Sequence, residues 1–318
     1  MAQAPKVFSI RSAAERMERA RPRRSAEMES LELGPIEGWL PEAIRKLLEE
    51  LRGRSARLIT EVNEYGYDPF GFHIRRSERL ALFAAVLYRY WFRVETHGID
   101  NIPSAGPLLL VANHAGNFAW DAAMLQTATL LEAEPPRLAR GLAEYYLPTL
   151  PFLSNIMVRT GAVVGTPENC RQLFDRGECV MVFPEGARGA IKPYRNAYQL
   201  QRFGMGFMRM ALEHRVPIVP VGIVGSEESS PGLWDSKLLA RLVGAPGFPI
   251  TFTFPWLGPI GLLLPLPVKF FLNFGPPLRF EGEHDAEDSD LEPKVTDVRG
   301  EVERLIAVGL SQRQSWFY

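Results

Sequence analysis

The chain has 318 residues, 46% of them hydrophobic and 23% charged, with a formal net charge of −1. That length and apolar content suffice for one large globular unit or two small ones, and the near-neutral balance excludes a strongly basic nucleic-acid binder. The two cysteines, Cys170 and Cys179, form no C-x-x-C pattern, which argues against a disulfide framework or a zinc cluster and for a reducing compartment.

Residues 1–30 read as a polar tail carrying Arg11, Arg16, Arg19, Arg21, Arg23 and Arg24, with no apolar core of a signal peptide. Such a tail is a solvated arm or a basic contact for anionic lipid. The segment 31–92 reads as an N-terminal helical region. Pro41–Val62 has helical spacing, and Asn63 to Gly71 breaks it. Ser77 is placed to cap a second helix, Glu78–Phe92, which is apolar around most of its circumference and ends in aromatics. This helix packs into a core or lies at a membrane interface.

From residue 93 to 318 strands and helices alternate. Strands are expected at Arg93–His97, Pro107–Ala112, Ala162–Val164, Glu178–Phe183, Pro217–Val224 and Lys269–Phe274. Helices are expected at Asp121–Leu131, Pro167–Arg176, Phe203–His214 and Leu291–Leu310, the last interrupted or kinked near Gly300. Between them, Phe248–Val268 is uncharged but holds five prolines, so it cannot be a membrane-spanning helix. It reads as a surface loop, a buried strand and turn, or a shallow membrane contact. The fold class is α/β, a mainly parallel or mixed sheet flanked by helices, preceded by the helical segment.

Two blocks carry chemistry. The first is Asn113-His114-Ala-Gly116-Asn117-Phe-Ala-Trp120-Asp121, at the C-terminal end of an apolar strand, where α/β sheets bind ligands. If residues 114–121 were all helical, His114 and Asp121 would lie roughly 10 Å apart along the axis at ~1.5 Å per residue. Direct contact requires a loop over His114–Asn117 and a helix starting near Phe118 or later; Gly116-Asn117 suits that turn. Asp121 would then fix the imidazole tautomer of a general base. The second block is Phe183-Pro-Glu185-Gly186-Ala-Arg188. Its arginine offers a planar fork for phosphate or carboxylate, and Glu185 could orient that arginine or bind substrate hydroxyls. A surface salt bridge in a turn is the plain alternative. Lys192 and Arg195 add positive potential nearby. The strand Val216-Pro-Ile-Val-Pro-Val-Gly-Ile-Val224 reads as core, with prolines suited to a strand's start or a bulge. The chain has no G-x-S-x-G elbow, no H-E-x-x-H and no Walker A sequence; its five histidines are dispersed, and no metal site is expected.

The order of Asn113-His114…Asp121, Gly161-Ala-Val-Val-Gly165, Phe183-Pro-Glu-Gly-Ala-Arg188 and Val216-Pro-Ile-Val-Pro220 resembles the glycerolipid (PlsC-like, lysophospholipid) acyltransferase superfamily over residues 93–280. The familiar spacing has four residues between His and Asp. Here there are six, which looks like the monoacylglycerol/diacylglycerol acyltransferase-like branch and leaves a phosphorylated or a neutral acceptor open. The resemblance implies that His114 is the general base and Asp121 its orienter. It also implies that Asn113, Glu185, Gly186 and Arg188 bind substrate, and that acyl-CoA or acyl carrier protein donates the acyl group. It implies no cofactor, a lipid acceptor, a membrane surface as partner, no nucleic acid, and a cytoplasmic, peripheral membrane location. A non-catalytic lipid-binding protein on the same fold and an acyl-thioester hydrolase are the rival readings.

Overall fold

The computed structural model describes residues 34–149, 153–243, 247–258 and 260–317; the arginine-rich tail lies outside them. A seven-stranded sheet has the order β1-β9-β6-β2-β5-β3-β4. Its members are β1 (Glu95–His97), β2 (Leu108–Ala112), β3 (Ala139–Ala143), β4 (Val163–Val164), β5 (Cys179–Val182), β6 (Ile218–Val224) and β9 (Phe271–Phe274). Strands β6, β2, β5, β3 and β4 are mutually parallel, whereas β9 runs antiparallel to β6 and parallel to β1, so the sheet is mixed. A separate antiparallel hairpin, β7 (Gly232–Asp235) with β8 (Pro249–Thr251), is inserted between β6 and β9.

Period-two alternation along wholly buried strands divides the core between the two faces. Leu108, Leu110 and Ala112 of β2 face one apolar cluster with helices α1 (Glu42–Ser55), α2 (Ile74–Val86) and α3 (Trp120–Leu131). Leu109 and Val111 face the other, with α5 (Pro167–Asp175), α6 (Gly206–Glu213) and α7 (Asp288–Gln312); α4 (Leu153–Thr160) precedes β4. In β6, Val219, Val221 and Ile223 face the first cluster, so Pro220 and Gly222 fall on the α7 side. A Cβ on Gly222 would lie 2.6 Å from backbone atoms of Leu305 and Ile306. The glycine is a contact surface for the long C-terminal helix. Pro220 lies inside β6, one residue before its ladder to β9 begins at Val221. Cys170 on α5 and Cys179 on β5 are both buried, and burial pushes their thiols up to about 11 and about 12.

Several element limits differ from expectation. The first helix stops at Ser55, not Val62. There Arg54 donates from Nε to the Leu130 carbonyl (3.0 Å) and pairs with Glu134, tying the chain to the end of α3; Ile59 and Val62 are left exposed. The second helix starts at Ile74 with His73 as its cap, and Ser77 lies inside it, its hydroxyl donating to the His73 carbonyl. A π-helical turn, Leu87–Trp91, completes it. Leu82, Ala85, Tyr88 and Phe92 enter the core, while Phe83, Tyr90 and Trp91 stay exposed. Helix α7 is continuous through Gly300. Strand β3 and helix α4 were not expected. β3 contains Arg140, fully buried and paired with Asp68 at 2.6 Å, so its sequence lacks an apolar strand pattern.

Candidate active site

Because β2, β3, β5 and β6 are parallel, the segments leaving their C-terminal ends gather at one edge of the sheet. They bring His114 from β2, Glu144 from β3, Glu185 from β5 and the turn Gly225–Ser230 from β6. Residues 113–119 form an irregular loop and α3 begins at Trp120. This is the arrangement that His114–Asp121 contact demands, and His114 Nδ1 lies 2.7 Å from Asp121 Oδ2. Asp121 is wholly buried. Its Oδ2 also accepts the Ala115 amide (2.9 Å) and its Oδ1 the Ala122 amide (2.7 Å). The carboxylate is therefore rigid, in a first helical turn that favours negative charge.

A glycine and an asparagine shape the loop. Gly116 has φ +85°, and a Cβ there would lie 2.6 Å from the Ser226 carbonyl. Asn117, also left-handed at φ +59°, donates from Nδ2 to the Ser230 carbonyl (2.5 Å) and from its amide to the Ala190 carbonyl (3.0 Å). The imidazole stacks on Phe183, ring centroids 4.5 Å apart, and keeps 17% side-chain exposure, so one edge is open. Burial favours the neutral ring, but the Asp121 carboxylate in contact, with Glu185 beyond it, outweighs burial and the opposing Lys192. The His114 pKa is raised above its ordinary value. With the Nδ1 proton directed at Asp121, Nε2 is the nitrogen left to take a proton.

The remaining expected residues divide by environment. Asn113 is buried, its amide clamped to β6 by Nδ2 to the Ile223 carbonyl (3.0 Å) and by the Ile223 amide to Oδ1 (2.7 Å). Glu185 is buried too. Its Oε1 accepts the His114 amide (2.9 Å) and its Oε2 the Gln201 amide (2.7 Å). It joins the two loops from within, and its carboxylate is engaged by these amides and not by Arg188. Gly186, at φ +59°, opens the turn. Arg188 is exposed and directs Nη2 to the Arg202 carbonyl at 3.4 Å.

Other residues of this edge escaped the sequence reading. Glu144 Oε1 accepts the Ala187 amide at 2.9 Å. Lys192, expected to add positive potential beside the turn, is buried 2.8 Å from Glu227 and 3.9 Å from Glu185. Burial pushes the Glu227 carboxyl up to about 7, with Lys192 holding it back. Glu228 accepts Arg313 and Tyr198 at 2.5 Å each. The only visible signal for these was a run of charge, Ser226-Glu-Glu-Ser229, directly after an apolar strand. Among the described residues no group of three or more His, Cys, Asp or Glu side chains could hold a metal ion, and no helix is long and apolar enough to cross a membrane.

A family model described as Acyltransferase matches residues 93–224. An uncharacterized protein of Mycobacterium leprae is 40% identical over 263 residues, covering 81% of this chain and 70% of its own length. The DGAT1/2-independent enzyme synthesizing storage lipids of Gallus gallus is 25% identical over 207 residues, covering 65% and 58%. The crystal structure of the 1-acyl-sn-glycerophosphate acyltransferase PlsC from Thermotoga maritima superposes with a TM-score of 0.50 at 20% identity, over 76% of this chain and 82% of that one. It carries the same fold.

Proposed function

The chain belongs to the acyltransferase family, and from that premise we propose that it transfers a fatty acyl group from a thioester, acyl-CoA or acyl carrier protein, to a hydroxyl of a glycerolipid held at a membrane surface. The single observation that carries the reading is the His114–Asp121 pair, 2.7 Å apart at the open edge of the sheet. His114 Nε2 removes the acceptor's hydroxyl proton as the oxygen attacks the thioester carbonyl. The C–O bond forms, the C–S bond breaks, and the departing thiolate receives the proton from the imidazolium. Asp121 holds the ring and stabilises its charged form. Glu185 and Asn113 act from behind, fixing the His114 backbone and the β2–β6 seam.

For the acceptor, two features favour a neutral acylglycerol over a phosphorylated lysolipid. The Glu144 carboxylate already occupies the Ala187 amide in the Glu-Gly-Ala-Arg turn, where it would repel a phosphate. The Gallus gallus relative is named for synthesizing storage lipids. Arg188 remains the group through which a phosphorylated acceptor would be held.

The test is labelled acyl-CoA and acyl carrier protein offered with neutral and phosphorylated acceptors, the products read by lipid mass spectrometry. His114→Ala should lose roughly 10²–10⁴-fold in rate while still unfolding as one cooperative unit. Undiminished ester formation by that variant would refute the mechanism. Release of free fatty acid without new lipid would identify a hydrolase. Arg188→Ala should cost a phosphorylated acceptor more than a neutral one.

A further inference from the structure

The insert between β6 and β9 is unlike the rest of the surface. From Ser236 to Val268 it contains two cations, Lys237 and Arg241, and no carboxylate, in a chain that has 37 acidic residues. Lys237 is paired with Asp235; Arg241 is exposed and has no carboxylate partner among the described residues. Within the insert Ala240 and Ile250 are buried. Its large side chains are left in solvent. Trp234, Leu238, Leu242, Phe252, Trp256 and Ile260 are all more than half exposed, Trp256 at 85% and Leu242 at 74%. A cluster of this size on one short segment marks an interaction surface.

The insert is fastened to neighbours that extend the same character. Trp91 Nε1 donates to the Pro265 carbonyl (3.2 Å), and the Lys269 amide to the carbonyl of Trp316 (2.9 Å); Trp91, Trp316 and Phe317 are partly exposed as well. The base of the insert meets both catalytic loops. Gly232 abuts the Asn117 side chain, and Gly247 abuts Ile191, just past the Glu-Gly-Ala-Arg turn.

We propose that the described residues of the insert (231–243, 247–258 and 260–268), flanked by Trp91 and Trp316–Phe317, are the surface on which the protein docks to a lipid bilayer, seating the His114 edge beside the membrane. The inference rests on the acyltransferase reading for its purpose, though not for its observations. The choice of occupant follows from composition. A face with aromatics, aliphatic tips, the exposed Arg241 and a single carboxylate, Asp235, already paired with Lys237, suits phosphate-bearing headgroups over an apolar layer. A protein partner or a second copy of this chain imposes no such scarcity of acids. The helix ending in Trp91 contributes the rim; its Leu82, Ala85, Tyr88 and Phe92 are spent in the core.

The test uses the full chain and vesicles of equimolar phosphatidylcholine and phosphatidylglycerol. The triple variant Leu238→Glu/Leu242→Glu/Trp256→Glu should lose at least about tenfold in vesicle partitioning. It should keep its melting curve and its activity toward a short-chain, water-soluble acceptor. His114→Ala should float as the unaltered protein does. A folded triple variant that floats normally overturns the proposal, as does an unaltered protein that never floats. So does a concentration-dependent dimer that the triple variant dissolves, since a second copy would then be the occupant. If the triple variant does not fold, brominated lipid decides the matter: it should quench tryptophan emission in the unaltered chain and quench less in Trp256→Phe, and equal quenching overturns the proposal. Flotation without any ester product would defeat the acyl-transfer reading and leave docking intact; ester formation on soluble acceptors without flotation would do the reverse.

Discussion

At the scale of single residues, the raised pKa of His114 has a kinetic consequence. A general base works only when unprotonated, so the rate should fall as pH drops through the His114 value, and that acid limb should lie above the value of an ordinary histidine. Asp121 supplies the largest opposing influence to burial. Asp121→Asn should therefore move the acid limb of kcat/KM to lower pH while reducing the plateau by roughly 10²–10⁴-fold. A lower plateau with an unmoved limb would mean that Asp121 does not govern the titrating group. The His–Asp contact was legible because helix geometry forbids it unless Gly116-Asn117 makes a loop, and that constraint is local. The roles of Glu185 and Lys192 were not legible. Glu185 is bound by the amides of residues 114 and 201, and Lys192 by a carboxylate at 227; sequence spacing carries no trace of such partners.

At the scale of elements, β3 shows why a strand can hide. Arg140 stands in its middle with no exposure, donating Nε to the Gly161 carbonyl (2.7 Å) and Nη1 to Asp68 (2.6 Å), between the rings of Phe70 and Phe72. A buried cation makes a strand look like a loop, and its partner lies 72 residues away. Asp68 also accepts the amides of Phe70 and Phe72, so one carboxylate folds the 63–72 turn and locks it to the sheet. Removing one partner of a buried pair leaves the other uncompensated. Asp68→Ala should cost about 3–5 kcal/mol in urea unfolding, with part of it recovered in Asp68→Ala/Arg140→Leu. A cost under about 1 kcal/mol would place the pair in the class of surface bridges. Long apolar strands such as β2 and β6 were visible because burial on both faces writes an unbroken hydrophobic run. Helix limits were missed where tertiary ties such as Arg54 to Leu130 end a helix that local periodicity would continue.

At the scale of the whole molecule, alternation of strands and helices foretold a sheet covered on both faces. The reversal at β9 was not foretold, because strand direction depends on how a connection crosses the sheet. That connection is the proline-rich insert, whose apolar character was plain in the sequence and whose exposure was not. The antiparallel return lets α7 run back across β6, with Gly222 giving it room. Two layers are thus clamped over a central sheet that holds one cysteine, Cys179 on β5, while the other, Cys170, rides on the covering helix α5.

Those two thiols give the molecule a pair of chemical clocks. Neither is accessible in the closed fold, and both are held protonated by burial, so an alkylating reagent can record only the moments when the structure opens. Cys170 needs α5 to lift; Cys179 needs the sheet to part. Mass-resolved labelling in native buffer should tag Cys170 first and Cys179 at the rate of global unfolding. Simultaneous tagging would reveal that the outer layer and the sheet open as one cooperative unit.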